Sequence, residues 1–263
     1  MVIGELFAGI GGLGLGLERA IPGARIAWQV EQNPFCRHIL EKHWPEARRF
    51  EDVRTVTKEQ LETVDIIAAG FPCQGASVAG KRLGLSDDRT ALWWEVVRIA
   101  SVLRPRYLVL ENVPGLLTVS GGRDFGTVLG SMAQIGYDAE WTCISASEFG
   151  APHIRERLFI IGTTANANSV DFFRRNDPVL SSQKKKTKEN REIAYSETLR
   201  GSEIAERNNY WASKSSSPFC GMDDGIPKRV DRLRALGNAV VPQCAEWIGQ
   251  RIASYQAEQD IPW

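Results

Sequence analysis

Hydrophobic residues in the first half of the chain fall in short runs of strand length, separated by segments with helical spacing. The first run, 2–7, enters a turn dense in glycine, after which leucines recur with a helical period as far as Ala20. A second run, 25–31, ends in an acid, and residues 34–43 read as a helix with proline in its first turn. The opening therefore predicts a strand, a tight turn and a helix, followed by a second strand and helix.

The same alternation continues along the chain. One apolar run is nearly uninterrupted and is closed by Gly-Phe-Pro, which is typical of a buried parallel strand. Alternating strands and helices predict a doubly wound, Rossmann-like α/β sheet, in which ligands bind at the carboxyl ends of the strands. The further predicted elements are strands at 48–53, 64–69, 107–110 and 158–162 and a helix at 90–103.

The character of the sequence changes at Thr163. From there to about Lys228 few apolar residues could build a core, and a run of lysines occupies 184–188. Residues 233–250 return to an apolar pattern, which predicts a Gly-Asn turn and a final helix. We therefore expect one α/β domain made of 1–162 plus 229–263, with a short polar insert at 163–228.

Composition and charge refine this picture. The 263 residues contain 32 Lys plus Arg and 32 Asp plus Glu, with 43% hydrophobic and 24% charged residues, as in an ordinary globular protein. The neutral total conceals a basic insert, because 163–234 holds 14 basic and 10 acidic residues. No apolar run approaches the roughly 18 residues of a membrane span, and the start lacks the basic residues of a signal peptide. A cytoplasmic protein is expected.

The glycine turn and two acids indicate a nucleotide-like ligand. Glycine lets a ligand approach the backbone and tolerates positive φ, and Gly9, Gly11 and Gly14 nearly match the dinucleotide fingerprint. Glu31 and Asp52 end successive strands, where carboxylates can accept ribose hydroxyls and an adenine amino group. These residues favour an adenosine-containing cofactor. A nicotinamide or flavin enzyme and a turn without any ligand remain alternatives.

The five cysteines form no C-x-x-C pair, which argues against a zinc site, or any other metal site of that kind, and against a disulfide framework. Cys73 differs from the others because it follows Pro72 at the end of a predicted buried strand, with small residues after it. An isolated cysteine is more often a small buried hydrophobe than a nucleophile. None of the three histidines has the context of a cysteine protease, so that reading is disfavoured.

Five ordered blocks of this sequence resemble the signature motifs of the DNA (cytosine-5) methyltransferases. The resemblance covers residues 1–162 and about 230–250 and leaves the insert unmatched. The blocks are FAGIGG at 7–12, GFPCQGAS at 70–77, ENV at 111–113, HIRERLFIIG at 153–162 and GNAVVP at 237–242.

The resemblance implies a catalytic group of four residues. Cys73 would add to C6 of cytosine, which makes C5 able to attack a methyl sulfonium. Glu111 would face the ring nitrogen N3, with a raised pKa, and Arg155 and Arg157 would hold the pyrimidine O2, the glutamate or a phosphate. Because the two arginines are two apart on a predicted strand, they would share one face.

The resemblance also implies the cofactor and the substrate. The cofactor would be S-adenosylmethionine, leaving as S-adenosylhomocysteine, and the substrate a cytosine flipped out of duplex DNA. Gln74, Ser77 and Asn112 would bind the substrate, and the basic insert would act as a short target-recognition domain, although an ordinary flexible loop is an equal alternative. The cofactor pocket would be formed by Phe7, Gly9, Gly11, Gly12, Glu31, Asp52, Pro72 and Asn238.

Three functions follow from the resemblance. The first is methylation of DNA in a restriction-modification pair or in the self-protection of a phage or mobile element, with a cognate restriction endonuclease as a genetic partner. The second is the same chemistry on RNA, although the PCQ tripeptide at 72–74 favours DNA as the substrate. The third is a catalytically idle DNA-binding relative, which the four candidate catalytic residues argue against.

Overall fold

A seven-stranded sheet with helices on both faces forms the core of the computed structural model, which describes residues 1–72, 91–151, 153–164 and 229–259. The strands lie in the order β3-β2-β1-β4-β5-β7-β6. They are β1 (Val2–Leu6), β2 (Arg25–Val30), β3 (Arg48–Phe50), β4 (Ile66–Gly70), β5 (Tyr107–Asn112), β6 (Tyr137–Ser145) and β7 (Glu156–Thr164). The helices are α1 (Gly12–Ala20), α2 (Pro34–His43), α3 (Ala91–Leu103), α4 (Arg123–Gln134), α5 (Arg229–Asn238) and α6 (Pro242–Gln259).

The direction of the strands determines where a ligand can bind. β1 to β5 run parallel to one another, whereas β7 runs antiparallel to both β5 and β6. The predicted Rossmann-like sheet is thus confirmed, with an antiparallel strand added at one side. Because β1, β4 and β5 are parallel neighbours, their carboxyl ends meet at one edge of the sheet.

Most predicted elements are present within a few residues of their expected bounds. Asn33 caps α2 by accepting the Phe35 N–H at 2.8 Å, as its position before Pro34 suggests. The strand predicted at 158–162 extends over Glu156–Thr164, two residues into the predicted insert. The rest of that insert lies outside the described residues.

Three features of the fold differ from the sequence prediction. The sequence pattern did not predict α4 or β6. In β6, an edge strand, apolar and polar residues alternate, so that no apolar run marks the strand. The predicted Gly-Asn turn is wrong, since Gly237 and Asn238 are the last residues of α5. The chain instead leaves helical structure at 239–241, before α6 begins.

Two apolar clusters, one on each face of the sheet, stabilise the fold. On one face, side chains of α3 and α4 such as Val96 and Val128 pack over Leu108 of β5. On the other face, side chains of α1 and α6 such as Leu17 and Ile248 pack over the sheet. Since alternate residues of a buried parallel strand serve opposite faces, a strand such as β4 is apolar throughout.

Close packing between α1 and α6 brings the end of the described chain back to its beginning. A Cβ on Gly16 would lie 2.3 Å from the Pro242 carbonyl oxygen, and one on Gly249 would lie 2.6 Å from the Cβ of Ala20. Only glycine allows this approach of the two backbones. The segment 239–241 is thereby held over the glycine turn. None of the helices within the described residues is long and apolar enough to cross a membrane.

Candidate active site

A cleft opens at the carboxyl ends of β1, β4 and β5, where the sheet topology favours ligand binding. We call it the strand-end cleft. It is bounded by the glycine turn on one side and by the segment before α6 on the other. Its lining residues are Glu5, Leu6, Phe7, Ala8, Gly9, Gly12, Leu13, Ala68, Gly70, Glu111, Asn238, Ala239 and Val240.

The glycine turn has the backbone conformation that its sequence requires. Gly9 and Gly11 have φ values of 57° and 83°, and Phe7 reaches 56°, a left-handed conformation that is rare for a residue with a side chain. A Cβ on Gly9 would meet no described atom within 4 Å, so the backbone there faces open space. A Cβ on Gly12 would lie 2.2 Å from the Val240 carbonyl oxygen. The turn therefore exposes backbone to a ligand while it holds the 239–241 segment in place.

The structure brings Asn238 to this turn from the far end of the sequence. Asn238 is exposed and lines the strand-end cleft together with Ala239 and Val240. The resemblance to the methyltransferases predicts Asn238 for the cofactor pocket. Its position depends on the glycine contacts of α1 with α6 and with Val240, which no local pattern could reveal.

Glu31 lies directly against the glycine turn. Its Oε2 accepts the Gly9 N–H at 2.7 Å, and its Oε1 accepts the Asn33 N–H at 2.7 Å. These two bonds fix the carboxylate at the end of β2. Carboxylate oxygens can accept further hydrogen bonds, so the group remains able to bind the hydroxyls of a ribose.

Asp52 follows β3 and lies near the end of β2, because the Glu31 N–H donates to the Phe50 carbonyl oxygen at 3.0 Å. Its carboxylate forms an ion pair with Arg54, with Nη2 2.6 Å from Oδ2. Hydrogen bonds from the Arg54 side chain and backbone hold the pKa of Asp52 below its usual value. Asp52 is thus ionised and oriented, as an acceptor for an amino group must be.

Glu111 and Arg157 form a pair at the end of β5. Glu111 is 8% exposed, and its Oε1 lies 3.0 Å from Nε of Arg157 on the neighbouring β7. Burial raises the pKa of Glu111, while the charges of Arg157 and Arg155 act against that rise. Gly70 of β4 is register partner to Glu111, and a Cβ there would lie 3.3 Å from its Oε2. The carboxyl group therefore points toward the end of β4.

Arg155 precedes β7 rather than lying within it. Its Nη2 donates to the Ala239 carbonyl oxygen at 2.7 Å, while its buried Nε has no hydrogen-bond partner among the described residues. Burial lowers its pKa. The charges of both arginines act on Glu111. Arg157 pairs with it, whereas Arg155, outside the strand on which it was predicted, ties the start of β7 to the cleft segment that contains Ala239.

Asn112 is held inside the protein next to Glu111. It is 4% exposed, its Nδ2 donates to the Phe71 carbonyl oxygen at 3.0 Å, and its Oδ1 accepts the Val113 N–H at 2.8 Å. The amide thus joins the end of β5 to the chain that leaves β4. Pro72 follows Phe71 and is half-buried. The predicted residues Cys73, Gln74 and Ser77 lie outside the described residues.

Two polar residues of the site were not anticipated from the sequence. Glu5 of β1 and Gln29 of β2 are 1% and 0% exposed, and Gln29 Nε2 donates to Glu5 Oε2 at 2.6 Å. Glu5 Oε1 also accepts the Gly14 N–H at 2.7 Å. The available signal was a single acid inside an otherwise apolar strand, since a buried charge requires an explanation.

Comparison with known proteins gives consistent results. The model of the family described as C-5 cytosine-specific DNA methylase matches residues 1–217. Type II methyltransferase M.NgoBI of Neisseria gonorrhoeae is 36% identical over 162 residues, which are 62% of this chain and 50% of the relative. Type II methyltransferase M.Sau3AI of Staphylococcus aureus is 36% identical over 180 residues, which are 62% of this chain and 43% of the relative. The chain thus spans half or less of the length of these relatives.

Solved structures support the same fold. An Escherichia coli prophage protein described as a DNA modification methyltransferase aligns with a TM-score of 0.54 and 28% identity, over 65% of this chain and 49% of that one. The DNMT2 mutant of Spodoptera frugiperda aligns with a TM-score of 0.53 and 23% identity, over 67% of this chain and 53% of that one. The second likeness is evidence for the fold alone.

Proposed function

Because this chain belongs to the C-5 cytosine-specific DNA methylase family, we propose that it transfers a methyl group from S-adenosylmethionine to C5 of a cytosine in duplex DNA. The observation that carries this proposal is the buried Glu111–Arg157 pair, with Oε1 and Nε 3.0 Å apart, beside the end of β4. Cys73 follows Gly70 by three residues. We infer that the acid at the end of β5 and the thiol that follows β4 in the sequence serve the same reaction.

The residues of the strand-end cleft fit an adenosine cofactor. The glycine turn leaves backbone open at Gly9, and Glu31 is fixed beside it as a hydrogen-bond acceptor. We infer that Glu31 binds the ribose and that Asp52 accepts the adenine amino group. When bound, the cofactor supplies an electrophilic methyl on a sulfonium. The proposed pocket comprises Phe7, Gly9, Gly11, Gly12, Glu31, Asp52, Pro72 and Asn238.

Each catalytic side chain has a defined task in this proposal. The Cys73 thiolate adds to C6 of the cytosine, and Glu111 places its carboxyl at N3, where a proton or a strong hydrogen bond accepts the electron density that develops. C5 would then take the methyl from the cofactor, which leaves as the thioether S-adenosylhomocysteine. The C5 proton would then pass to water and the C6–S bond to Cys73 would break, which restores the aromatic ring. Burial favours the protonated form of Glu111 that can donate in this way.

The neighbouring residues support these groups. Arg157 orients Glu111 through their ion pair, and we infer that Arg155 and Arg157 also contact the base or its phosphate. Asn112 is better placed to position the Cys73 segment than to touch the nucleotide, because its amide is bonded to Phe71 and Val113. Gln74 and Ser77 would contact the substrate backbone, and the basic insert at 163–228 would contact phosphates near the target.

Biological context follows from the relatives. Several are named Type II methyltransferases. We propose that this chain likewise modifies DNA within a restriction-modification pair or protects the DNA of a phage or mobile element. A restriction endonuclease would be its genetic partner in the first case.

The test is transfer of labelled methyl to duplex DNA, duplex RNA and transfer RNA, followed by digestion to nucleosides. We expect label in 5-methylcytosine from DNA and its loss in Cys73→Ser. Cys143→Ser is the matched control, because Cys143 is a half-buried thiol on β6 and should leave transfer intact. Label in RNA alone would move the substrate to RNA, and label that persists in Cys73→Ser would overturn the proposed nucleophile.

A further inference from the structure

We propose that Glu5 is a specificity-determining residue whose carboxylate makes the strand-end cleft prefer the sulfonium cofactor S-adenosylmethionine over its neutral thioether product. The inference rests on the proposed function, because it concerns the same cofactor. It goes further by assigning discrimination between cofactor and product, and a coupled proton release, to one buried acid.

Glu5 has no cationic partner among the described residues. Its carboxyl group is 1% exposed and lines the cleft, and it accepts hydrogen bonds from two neutral donors, the Gly14 N–H and the Gln29 amide, at 2.7 and 2.6 Å. Glu111 lines the same cleft but faces the guanidinium of Arg157. Among the described residues that line the cleft, Glu5 is therefore the carboxyl group without such a counter-charge.

The charged groups around Glu5 are acids. The ionisable groups that act on Glu5 are Glu18 of α1 and Glu31 after β2, and Glu111 of β5 faces the cleft. Among the described residues that line the cleft, β4 and the 238–240 segment contribute no ionisable side chain, and no lysine or arginine occurs. A cleft lined by buried acids stabilises a cation.

Gln29 can form a hydrogen bond with either protonation state of Glu5. Its Nε2 donates to the carboxylate, while its buried Oε1 has no hydrogen-bond partner among the described residues. If the amide turns over, Oε1 can instead accept a proton from the neutral acid. Glu5 can thus gain or lose a proton without moving its backbone.

These features couple cofactor charge to the Glu5 proton. Burial, opposed by the bonds from Gln29 and Gly14, raises the pKa of Glu5 to about 7, so that both forms are populated near neutral pH. A sulfonium in the cleft favours the carboxylate, and the displaced proton passes to the buffer. The thioether product has no charge on sulfur and leaves the acid as it was. By linkage, preference for the cofactor over the product increases with pH.

The experiment is calorimetric titration of the protein with each ligand in two buffers of different ionisation enthalpy, which counts the protons released. Wild type is compared with Glu5→Gln, so that titration of groups on the ligands themselves cancels. At pH 7 we expect wild type to release about half a proton more than the variant on binding S-adenosylmethionine, since a group at its pKa is half protonated. For S-adenosylhomocysteine we expect no such difference.

The affinity ratio gives a second readout. The preference of wild type for S-adenosylmethionine should rise on the order of tenfold between pH 6 and pH 8, as expected for one coupled proton. In Glu5→Gln the ratio should not change with pH beyond the effect of the ligands. Glu41→Gln, which removes an exposed acid of α2, should behave as wild type.

Two variants of Glu5 separate the effect of its charge from an effect on folding. In Glu5→Gln the new side chain can still accept the Gly14 N–H and can donate to Gln29 Oε1, so the fold should persist. Glu5→Asp retains the charge and should retain a pH-dependent preference. Equal proton release for both ligands, or a pH-dependent preference that survives in Glu5→Gln, would overturn the charge assignment alone. Absence of binding by either ligand at any pH would overturn the proposed function and this inference with it.

Discussion

Glu5 and Glu111 are the same residue type in the same cleft, but their neighbours give them different properties. Both are buried, at 1% and 8% exposed, near the carboxyl ends of parallel strands. Glu111 has a guanidinium at 3.0 Å, whereas Glu5 has only neutral hydrogen-bond donors. Burial alone therefore does not set the ionisation state of a carboxyl group, since the charge opposite it determines how readily the group ionises.

The largest effect is expected when Glu111 loses its acid function. Glu111→Gln keeps the shape of the side chain but removes both the proton and the charge. We expect methyl transfer to fall by about 10²- to 10⁴-fold, the usual contribution of a general acid or base. Single-turnover transfer to DNA measures this. A Glu111→Gln rate within a few-fold of wild type would show that the Glu111–Arg157 pair has a structural role only. An unchanged far-ultraviolet circular dichroism spectrum would show that the variant is folded.

The pair itself is broken by Arg157→Met. This change leaves Glu111 buried without its counter-charge, and we expect the free energy of unfolding at pH 8 to drop by about 3 kcal/mol. The loss should be smaller at pH 5, because Glu111 can then be neutral. Denaturant unfolding at both pH values measures the effect. In a Glu111→Gln background the same substitution should cost less, and an equal cost in both backgrounds would contradict a coupled pair.

Glu5→Gln should stabilise the protein at pH 8, whereas Arg157→Met should destabilise it. The folded pKa of Glu5, about 7, lies above the unfolded value of 4.5. The stability that Glu5 contributes is therefore present below pH 4.5 and is lost as pH rises through 7. Replacing it should raise the free energy of unfolding at pH 8 by up to about 3 kcal/mol, since one pKa unit corresponds to 1.36 kcal/mol. At pH 4.5 the gain should disappear.

Unfolding curves across this pH range, measured beside Glu41→Gln, provide the check on Glu5. A gain that is constant from pH 4.5 to 8 would mean that the substitution acts through packing. Glu5 would then be an ordinary buried polar group, and its ionisation would no longer differ from that of Glu111.

The sequence determined much of this protein because its local patterns have local causes. Apolar runs and helical spacing predicted nearly all of the core strands, and the glycine turn predicted the positive φ values at Gly9 and Gly11. Motif blocks carried the family, which the match to residues 1–217 confirms. β6 was missed because an edge strand alternates polar and apolar residues. The predicted Gly-Asn turn was wrong, since α5 continues through Asn238.

Only the tertiary structure decided how distant residues meet. Three contacts join positions far apart in the chain. They are the close approach of Val240 to Gly12, the hydrogen bond from Arg155 to the Ala239 carbonyl and the hydrogen bond from Asn112 to the Phe71 carbonyl. The same holds for the unequal environments of Glu5 and Glu111. A pKa depends on burial and on charges within a few ångströms, and both are set by packing rather than by the residue's own neighbours in sequence. The sequence by itself determined which chemical groups the cleft contains, and the fold decided the state in which each is held.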